Sequence, residues 1–409
     1  MTEERGPVGE VSGAGWVTRF RRRAPALSYT LALWLGTELL AALLLPAIVP
    51  KHIALSWYLG EHARWATGII LDVHDTSFTV YDSLTGWRNR PGSSGGRWQI
   101  DSLGSRSTHR LHETKTRPRR LLFLGSSLTN GGDRVSAVET ISAYCEDSLT
   151  ESVNCATMLY SLDQVALAYR GSLHRLGADV VVVGTSAAPE EGLTNRYLPF
   201  FAHSEVLMPF FKPRFLLDGD SLRLVPVPTR EQWRAMFHSS AMLDTLTRDE
   251  GFLDRFESYR RLGLMPLTAS LRQALITASK LSLLLTGRRD ALPLAERLMR
   301  MLADDAAGHG AKVVFMLLPA RRFAFPTGLW RLLPDHYADL LARLRREGFV
   351  VLDGRDLLRR SGLPPDRLYS DGNHFQPEGN RLIAAGLREL LDPAGGATLA
   401  GVARAGRAR

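Results

Sequence analysis

The chain has 409 residues, of which 45% are hydrophobic and 23% are charged, and 51 Lys and Arg stand against 42 Asp and Glu. This mixture is typical of a globular protein and excludes a disordered chain or a polytopic membrane protein. Two cysteines are too few for a disulfide scaffold or a cysteine-rich zinc module. The net charge of +9 suits an anionic membrane surface or an acidic glycan. No zinc-finger, helix-turn-helix or RNP-like signature indicates a nucleic-acid partner.

The N-terminal region predicts a membrane anchor. Residues 1–23 end in four closely spaced arginines, and residues 24–50 form an apolar run whose one charged residue is Glu38. Some 20–25 helical residues are about the length that crosses a bilayer. We therefore expect a cytoplasmic tail over 1–23 and a transmembrane helix over 24–50. The positive-inside rule then places the rest of the chain on the extracytoplasmic side, periplasmic or at the cell surface. A buried soluble helix and a cleaved signal peptide are the alternatives.

Residues 51–119 are predicted to form a juxtamembrane and short-strand region. Aromatic and apolar side chains mix over 52–71, which suits either an interfacial helix on the bilayer or the first helix of the outer domain. Clusters of Gly, Pro, Asn and Ser then mark turns between short strands. Trp87 and Trp98 lie in those strands, where they suit either packing or stacking on a sugar.

Strands and helices alternate from residue 120 onward. Short apolar runs predict buried strands at 120–125, 153–158, 178–184, 311–319 and 348–354. Helical patterns fall at 137–150, 163–176, 290–308, 333–347 and 378–391. The alternation predicts an α/β fold over 120–392: a three-layer α/β/α sandwich around a five-stranded parallel sheet.

A large insertion is predicted after the third strand, over 185–310, because this connection is far longer than an ordinary loop. Within it, 209–228 reads as a hairpin with a DGDS turn, and 229–245 and 265–285 read as helical. We expect it to wall the substrate cleft. The Ala-, Gly- and Arg-rich residues 393–409 are predicted to be a disordered tail.

Two short motifs carry the chemistry. In GSSLTNG (125–131), Ser127 leaves the first strand at the carboxyl edge of the sheet, where such folds place their sites. In DGNH, just before the last helix, Asp371 and His374 are three residues apart, so the carboxylate can orient the imidazole. We predict Ser127 as nucleophile, His374 as general base and Asp371 as the residue that orients the base. A capping Ser, a structural His and a turn Asp are the competing interpretations.

With these motifs the chain resembles the SGNH, or GDSL, family of esterases and acyltransferases, in its membrane-anchored bacterial branch. The first block of that family is normally Gly-Asp-Ser-Leu, and here it is Gly125-Ser126-Ser127-Leu128; its last block, Asp-x-x-His, is matched by Asp371 and His374. The likeness covers about 120–391, and the upstream segment 78–107 shares it. It implies a flavodoxin-like α/β/α fold and acyl transfer through a Ser-His-Asp triad, with no cofactor and no metal.

Two other blocks of the family depart from its pattern, and both normally supply donors to the oxyanion. Leu159 stands where the second block usually has Gly, and a left-handed backbone would be strained for Leu. Ser186 ends Gly-Thr-Ser where the third block usually has Gly-x-Asn, so only a shorter hydroxyl is available. Asn130, Ser161 and Asn195 are further candidates to complete the hole. Loss of one oxyanion donor typically lowers the rate about 10²–10³-fold.

The expected function is therefore a membrane-anchored serine acyl-ester hydrolase or O-acyltransferase. Its substrate would be an acyl ester or a polysaccharide of the cell envelope or exported from the cell, and other envelope proteins are conceivable partners. Because the oxyanion blocks are altered, a non-catalytic SGNH-like assembly or glycan-binding protein stays open. An esterase of lipids or small esters is the other alternative.

The two cysteines allow two arrangements. Cys145 falls in the helix expected over 137–150, and Cys155 in the strand expected over 153–158. An oxidising compartment would permit a disulfide between them. Two buried free thiols packing as small hydrophobic residues are the commoner arrangement.

Overall fold

A computed structural model describes most of the chain. The described residues are 25–37, 39–40, 44, 48–50, 52–53, 78–107, 109–186, 190–198, 211–248, 291–332 and 335–392. The strands are β1 Thr79–Asp82, β2 Gly86–Asn89, β3 Ser94–Gly95, β4 Trp98–Gln99, β5 Arg119–Leu124, β6 Thr150–Asn154, β7 Val180–Ser186, β8 Arg214–Asp218, β9 Ser221–Val225, β10 Lys312–Leu318 and β11 Val350–Asp353.

Helices flank these strands. From residue 78 onward they are α1 Ser127–Asn130, α2 Ile141–Tyr144, α3 Leu162–Gly171, α4 Glu190–Thr194, α5 Arg230–Met236, α6 Ser240–Leu246, α7 Ala291–Gly308, α8 Arg321–Ala324, α9 His336–Arg346, α10 Gly354–Arg360, α11 Pro365–Leu368 and α12 Pro377–Leu391. Short 3₁₀ segments lie at Ala137–Glu139, Leu173–Leu176 and Gly328–Leu332.

The central sheet has five strands in the order β6-β5-β7-β10-β11, and every neighbouring pair is parallel. Numbered along the chain, this is the order 2-1-3-4-5, the flavodoxin-like arrangement of doubly wound sheets. The predicted parallel five-stranded α/β fold is confirmed. The strand order reverses between β5 and β7, and such a switch point opens a crevice at the carboxyl ends of the strands.

The sheet is buried on both faces, as its continuous apolar strands require. In β7, Val181 and Val183 belong to an apolar cluster with α3, α7 and α9, whereas Val180 and Val182 belong to a cluster with α2, α10 and α12. Each buried Val or Leu contributes about 1.5–3 kcal/mol relative to an exposed one. The two clusters hold the strands rigidly, and so fix the positions of the loops that leave their carboxyl ends.

One stretch of the sandwich differs from the prediction. The helix expected over 137–150 is a 3₁₀ turn followed by the four-residue α2, and the strand expected over 153–158 is β6, Thr150–Asn154. The Asp147 carboxylate accepts the N–H groups of Leu149 and Thr150 at 2.9 Å, which forms a turn and starts the strand early. The buried Glu151 is paired with Arg120 at 2.9 Å, so β6 lacks the apolar signal of a buried strand.

Cys145 and Cys155 are both buried free thiols. They lie in the two different apolar clusters, on opposite faces of the central sheet. The disulfide alternative was therefore wrong, because a strand layer separates the two side chains. Burial raises the pKa of each thiol to about 12, so both stay protonated at neutral pH.

The upstream region forms two small antiparallel pairs, β1–β2 and β3–β4. Trp87 and Trp98 are buried in it, which favours the packing interpretation over sugar stacking. In the insertion, β8 and β9 form the expected hairpin, and the helical region at 229–245 is divided into α5 and α6. The helix expected over 265–285 and the tail over 393–409 lie outside the described residues.

The described part of the expected anchor is helical over 25–37. Its apolar side chains are exposed, among them Leu27, Leu31 and Leu33. No helix within the described residues combines the length and the hydropathy that crossing a bilayer needs. The tail over 1–23 and most of 38–77 lie outside the described residues.

Candidate active site

The turn after β5 places Ser127 at the carboxyl edge of the sheet. Gly125 has φ 146°, and a Cβ there would lie 2.5 Å from the carbonyl oxygen of Gly184. Only glycine therefore allows the chain to turn this closely against β7. Ser126 is extended, and α1 begins at Ser127, whose side chain is half-buried.

A second turn places Asp371 and His374. Oδ1 of Asp371 accepts the backbone N–H groups of Asn373 at 2.6 Å and of His374 at 2.7 Å. The other oxygen, Oδ2, accepts a hydrogen bond from Nδ1 of His374 at 2.9 Å. One carboxylate thus shapes its own turn and orients the imidazole. Since Nδ1 carries the proton of that bond, Nε2 is the acceptor nitrogen of the neutral ring.

The two turns meet at the sheet edge. Oγ of Ser127 lies 3.0 Å from Nε2 of His374, so the hydroxyl can donate to the imidazole. The structure brings the three predicted residues into one hydrogen-bonded chain, Ser127–His374–Asp371, although 247 positions separate the serine from the histidine. This geometry suits transfer of the hydroxyl proton to the imidazole during attack on a carbonyl carbon.

The electrostatics keep Asp371 ionised. Partial burial on its own would raise the pKa of this carboxyl, but the backbone N–H groups of His374 and Asn373 and the imidazole outweigh it and hold the pKa below its ordinary value of 3.8. Arg134 lies 3.6 Å from the same carboxylate, on a side chain that is about half exposed. Asp371 is therefore a carboxylate throughout the pH range in which an imidazole acts as a base.

Gly132 supports the other side of the imidazole, and the sequence analysis missed it. Its φ is +59°, and a Cβ there would lie 2.9 Å from Cδ2 of His374. Its own position depends on Arg106, whose buried guanidinium donates to the carbonyl oxygens of Asn130 (2.8 Å) and Gly132. Burial lowers the pKa of Arg106 to about 10, against a weaker opposing effect of Asp133.

The Arg106 guanidinium also reaches the carbonyl oxygen of Val135, at 2.5 Å, and lies 4.5 Å from the centre of the Trp98 ring. The sequence gives little indication of this role, because a single arginine in the segment LGSRS reveals neither its burial nor its hydrogen-bond partners. The upstream region thereby helps to shape the segment that follows Ser127 and contacts His374.

Leu159 has φ +61° and is the single non-glycine residue with positive φ among the described residues. The backbone of Leu159 is therefore left-handed, the conformation that the sequence analysis describes as strained for leucine. The segment before it lies against the turn that carries Ser127, because the N–H of Thr157 donates to the carbonyl oxygen of Gly125 at 2.9 Å. Leu159 itself is half-buried. A part in binding an oxyanion stays a prediction for this residue.

Ser186 ends β7 at the same edge of the sheet and is half-buried, so its role also stays a prediction. Two of the further candidates, Asn130 and Ser161, make hydrogen bonds to neighbouring protein groups. Asn130 donates to the carbonyl oxygen of Ala156 at 3.2 Å and accepts the N–H of Gly132 at 2.8 Å. Ser161 donates to the Asp163 carboxylate at 2.5 Å, at the start of α3. Asn195 is fully buried.

Within the described ranges, no group of three or more His, Cys, Asp or Glu side chains is placed to hold a metal ion. The Ser-His-Asp chain itself calls for none, since its acid-base chemistry is complete in three side chains.

Three solved structures illustrate what this chain is similar to. An α/β hydrolase enzyme from the metagenome of Lake Arreo, Spain, has 13% identity, covering 68% of this chain and 96% of that one, with a TM-score of 0.36. A catalytic mutant of an acetylxylan esterase from Geobacillus stearothermophilus has 13% identity, covering 67% and 94%, with a TM-score of 0.35. A member of the lipolytic protein G-D-S-L family from Veillonella parvula has 11% identity, covering 66% and 97%, with a TM-score of 0.34.

No family model matches this chain, and no curated protein matches it. Identities of 11–13% and TM-scores of 0.34–0.36 establish no family membership.

Proposed function

We propose that this protein is a serine-dependent acyl-ester hydrolase or O-acyltransferase. The observation that carries the proposal is the hydrogen-bonded chain Ser127–His374–Asp371, with distances of 3.0 and 2.9 Å, at the carboxyl edge of a parallel sheet. A serine, an imidazole and a carboxylate in this sequence of contacts are the parts that nucleophilic acyl transfer needs. A capping serine or a structural histidine would not require such a relay.

The reaction proceeds in two halves. Oγ of Ser127 attacks the ester carbonyl carbon while its proton passes to Nε2 of His374, and Asp371 stabilises the resulting imidazolium. The alcohol leaves with that proton, and the acyl group stays on Ser127 as an ester. Water or a sugar hydroxyl then gives its proton to His374 and attacks the acyl-serine. Ser127 regains its proton, and the acid or the new ester is released.

The proposed substrate is an acylated polysaccharide of the cell envelope or one that is being exported. Support comes from the sequence: four arginines precede the apolar run of 24–50, which orients an anchored domain outward. The exposed apolar side chains of the helix over 25–37 suit contact with lipid. We accordingly propose a single-pass membrane protein whose Ser127 site faces the extracytoplasmic side.

A fluorophosphonate probe, which forms a covalent bond with an activated serine, tests the proposal. Wild-type protein is expected to be labelled at Ser127 and to release acetate from acetylated sugars, and Ser127→Ala is expected to lose both. Ser126→Ala is the matched control, because this neighbouring hydroxyl makes no capping hydrogen bond at the start of α1. An unlabelled wild-type protein would favour a non-catalytic glycan-binding or assembly role instead.

Two further measurements define the reaction. Acetyl-xylan-type esters compared with long-chain lipid esters separate a polysaccharide enzyme from a lipid esterase. Partition of the acyl-serine between water and an added oligosaccharide acceptor separates hydrolysis from transfer. Acetyl sugar formed from the acceptor would assign the transferase reaction, and free acetate alone would assign the hydrolase reaction.

A further inference from the structure

The loop between β6 and α3 lies beside the catalytic turn. We use the name 156–160 loop for residues 156–160. Its Thr157 N–H donates to the carbonyl oxygen of Gly125, two residues before Ser127, at 2.9 Å. Asn130, at the end of α1, donates to the carbonyl oxygen of Ala156 at 3.2 Å. The loop is therefore packed directly against the elements that present the nucleophile.

Leu159, in this loop, has a left-handed backbone conformation that is unfavourable for leucine. The left-handed region is unfavourable for a non-glycine residue, because Cβ crowds the following carbonyl oxygen. Leu159, at φ +61°, keeps it in the folded protein. Such a conformation persists only where the surrounding structure imposes it, and strain of this kind concentrates at functional sites.

Strand β2 supplies the contacts that impose it. Nε1 of Trp87 donates to the carbonyl oxygen of Met158 at 2.8 Å, immediately before Leu159. Nδ2 of Asn89 donates to the carbonyl oxygen of Ala156 at 3.1 Å. Both side chains are buried, Trp87 completely and Asn89 at 5% exposure. Hydrogen bonds shielded from water in this way are costly to leave unmade.

The residue after Leu159 is tied to the same strand. The hydroxyl of Tyr160 donates to Oγ1 of Thr85 at 2.9 Å and also contacts the carbonyl oxygen of Trp87. The rings of Trp87 and Tyr160 pack edge to face, with centroids 5.9 Å apart. Leu159 is thus held between two residues, Met158 and Tyr160, that are each bonded to the β1–β2 hairpin.

We propose, on the basis of the function proposed above, that Trp87 and Asn89 are positioning residues for acyl transfer. Through their hydrogen bonds to the 156–160 loop, they hold Leu159 in its left-handed conformation, two residues after Thr157, whose N–H is bonded to the turn that carries Ser127. They replace by tertiary contact what a glycine would achieve by its own conformational freedom. When these bonds are removed, Leu159 relaxes to negative φ, and the peptide groups of the 156–160 loop, which is bonded to the Ser127 turn through Thr157, change direction.

Two variants test this inference, each made alone and in combination with Leu159→Gly. Trp87→Phe removes the indole N–H and keeps an aromatic ring, and Asn89→Ala removes the other donor. We expect each to lower kcat for an acetyl ester about 10-fold or more, with KM changed less than about 3-fold, since small displacements at a reacting centre are costly. In either background, Leu159→Gly is expected to restore about a third or more of the lost activity, because glycine adopts positive φ without strain.

That rescue separates positioning from bulk stability. Trp233→Phe is the matched control: it removes another buried indole from the same apolar cluster, and is expected to lower the unfolding temperature with no rescue by Leu159→Gly. Circular dichroism and thermal unfolding identify any variant that fails to fold. Asn89→Ala changes a different buried side chain, so it keeps the test available if Trp87→Phe does not fold.

The outcomes distinguish the two proposals. Ser127-dependent turnover in wild type, with unchanged kcat in both Trp87→Phe and Asn89→Ala, would overturn the positioning role alone. Losses that Leu159→Gly leaves unchanged would overturn it as well. Absence of Ser127-dependent turnover in wild type would overturn the function proposed above, and the positioning role with it.

Discussion

The two sides of the site are built in different ways. On one side, Asp371 and His374 are three residues apart, and the carboxylate shapes the turn that carries both. On the other side, the 156–160 loop is held by Trp87, 71 positions upstream, and contains a strained Leu159. The acid-base side is a local motif, whereas the loop owes its shape to tertiary contacts. Substitutions on the first side should remove a group that takes part in proton transfer. Substitutions on the second side should leave the reacting groups present but displace them.

The largest effect is expected from His374→Ala, which removes the base and leaves the Ser127 hydroxyl without an acceptor. We expect ester hydrolysis to fall about 10⁴-fold or more, as for other Ser-His pairs. Initial rates with an acetyl ester measure the effect. His112→Ala is the control, since this exposed histidine lies outside both turns of the site. Retention of more than about a tenth of wild-type activity would contradict the assigned base.

Asp371→Asn should cost less, about 10²–10⁴-fold in kcat, because the imidazole stays present and loses only its orienting carboxylate. The folded state also holds the pKa of Asp371 below 3.8, so its charge stabilises the folded protein above that pH. The difference in the free energy of unfolding between wild type and Asp371→Asn should therefore be largest at neutral pH and should shrink as the pH falls below 3.8. Urea unfolding at pH 7 and at pH 3 measures it, and a difference that grows on acidification would contradict this assignment.

Gly132→Ala should produce an intermediate effect, since its Cβ would meet the imidazole at 2.9 Å and displace it. We expect kcat to fall about 10–100-fold, the usual consequence of a displacement near 1 Å. Gly177→Ala is closely matched: φ is +60° against +59°, and nothing lies within 4 Å of its Cβ. Both variants should lose similar stability, about 1–2 kcal/mol. Equal activity in the two would show that the contact with His374 is unimportant.

The smallest effect is expected from Arg134→Ala. Its guanidinium lies 3.6 Å from the Asp371 carboxylate, but the side chain is half exposed and the interaction is screened by solvent. We expect kcat to change less than about 3-fold at physiological salt. Rates at low and high ionic strength measure the residual contribution. A 100-fold loss would mean that Arg134 contacts the substrate or the reacting groups directly.

Sequence reasoning places Ser127, Asp371 and His374 in one site, and the structure brings them together, because the signal of each motif is contiguous. Gly125 to Leu128 and Asp371 to His374 are short motifs at the ends of recognisable elements, and the parallel topology brings such ends together. The five strands were equally visible, except β6, where the buried Glu151 paired with Arg120 hides the apolar pattern. Helix patterns over 290–308, 333–347 and 378–391 correspond closely to α7, α9 and α12.

The supporting residues left no such signal. Arg106 and Asn89 are polar residues in turn-rich segments, where exposure is the ordinary expectation, yet both are buried and bonded to carbonyl oxygens of distant loops. Gly132 follows another glycine in a loop, and only its contact with His374 distinguishes it. Burial and partner choice depend on elements far apart in the chain, so a linear pattern cannot reveal them.

Residue patterns along the chain establish the α/β class, the five parallel strands and the two motifs that carry Ser127, Asp371 and His374. These follow from hydrophobic period and from short-range turn chemistry, which nearby residues settle among themselves. Three features become visible in the folded chain alone: the separation of Cys145 and Cys155, the support of His374 by Gly132, and the left-handed backbone of Leu159. The physical reason is that a strained backbone or a buried polar group is stable only when distant side chains supply its contacts, and packing alone brings those side chains together.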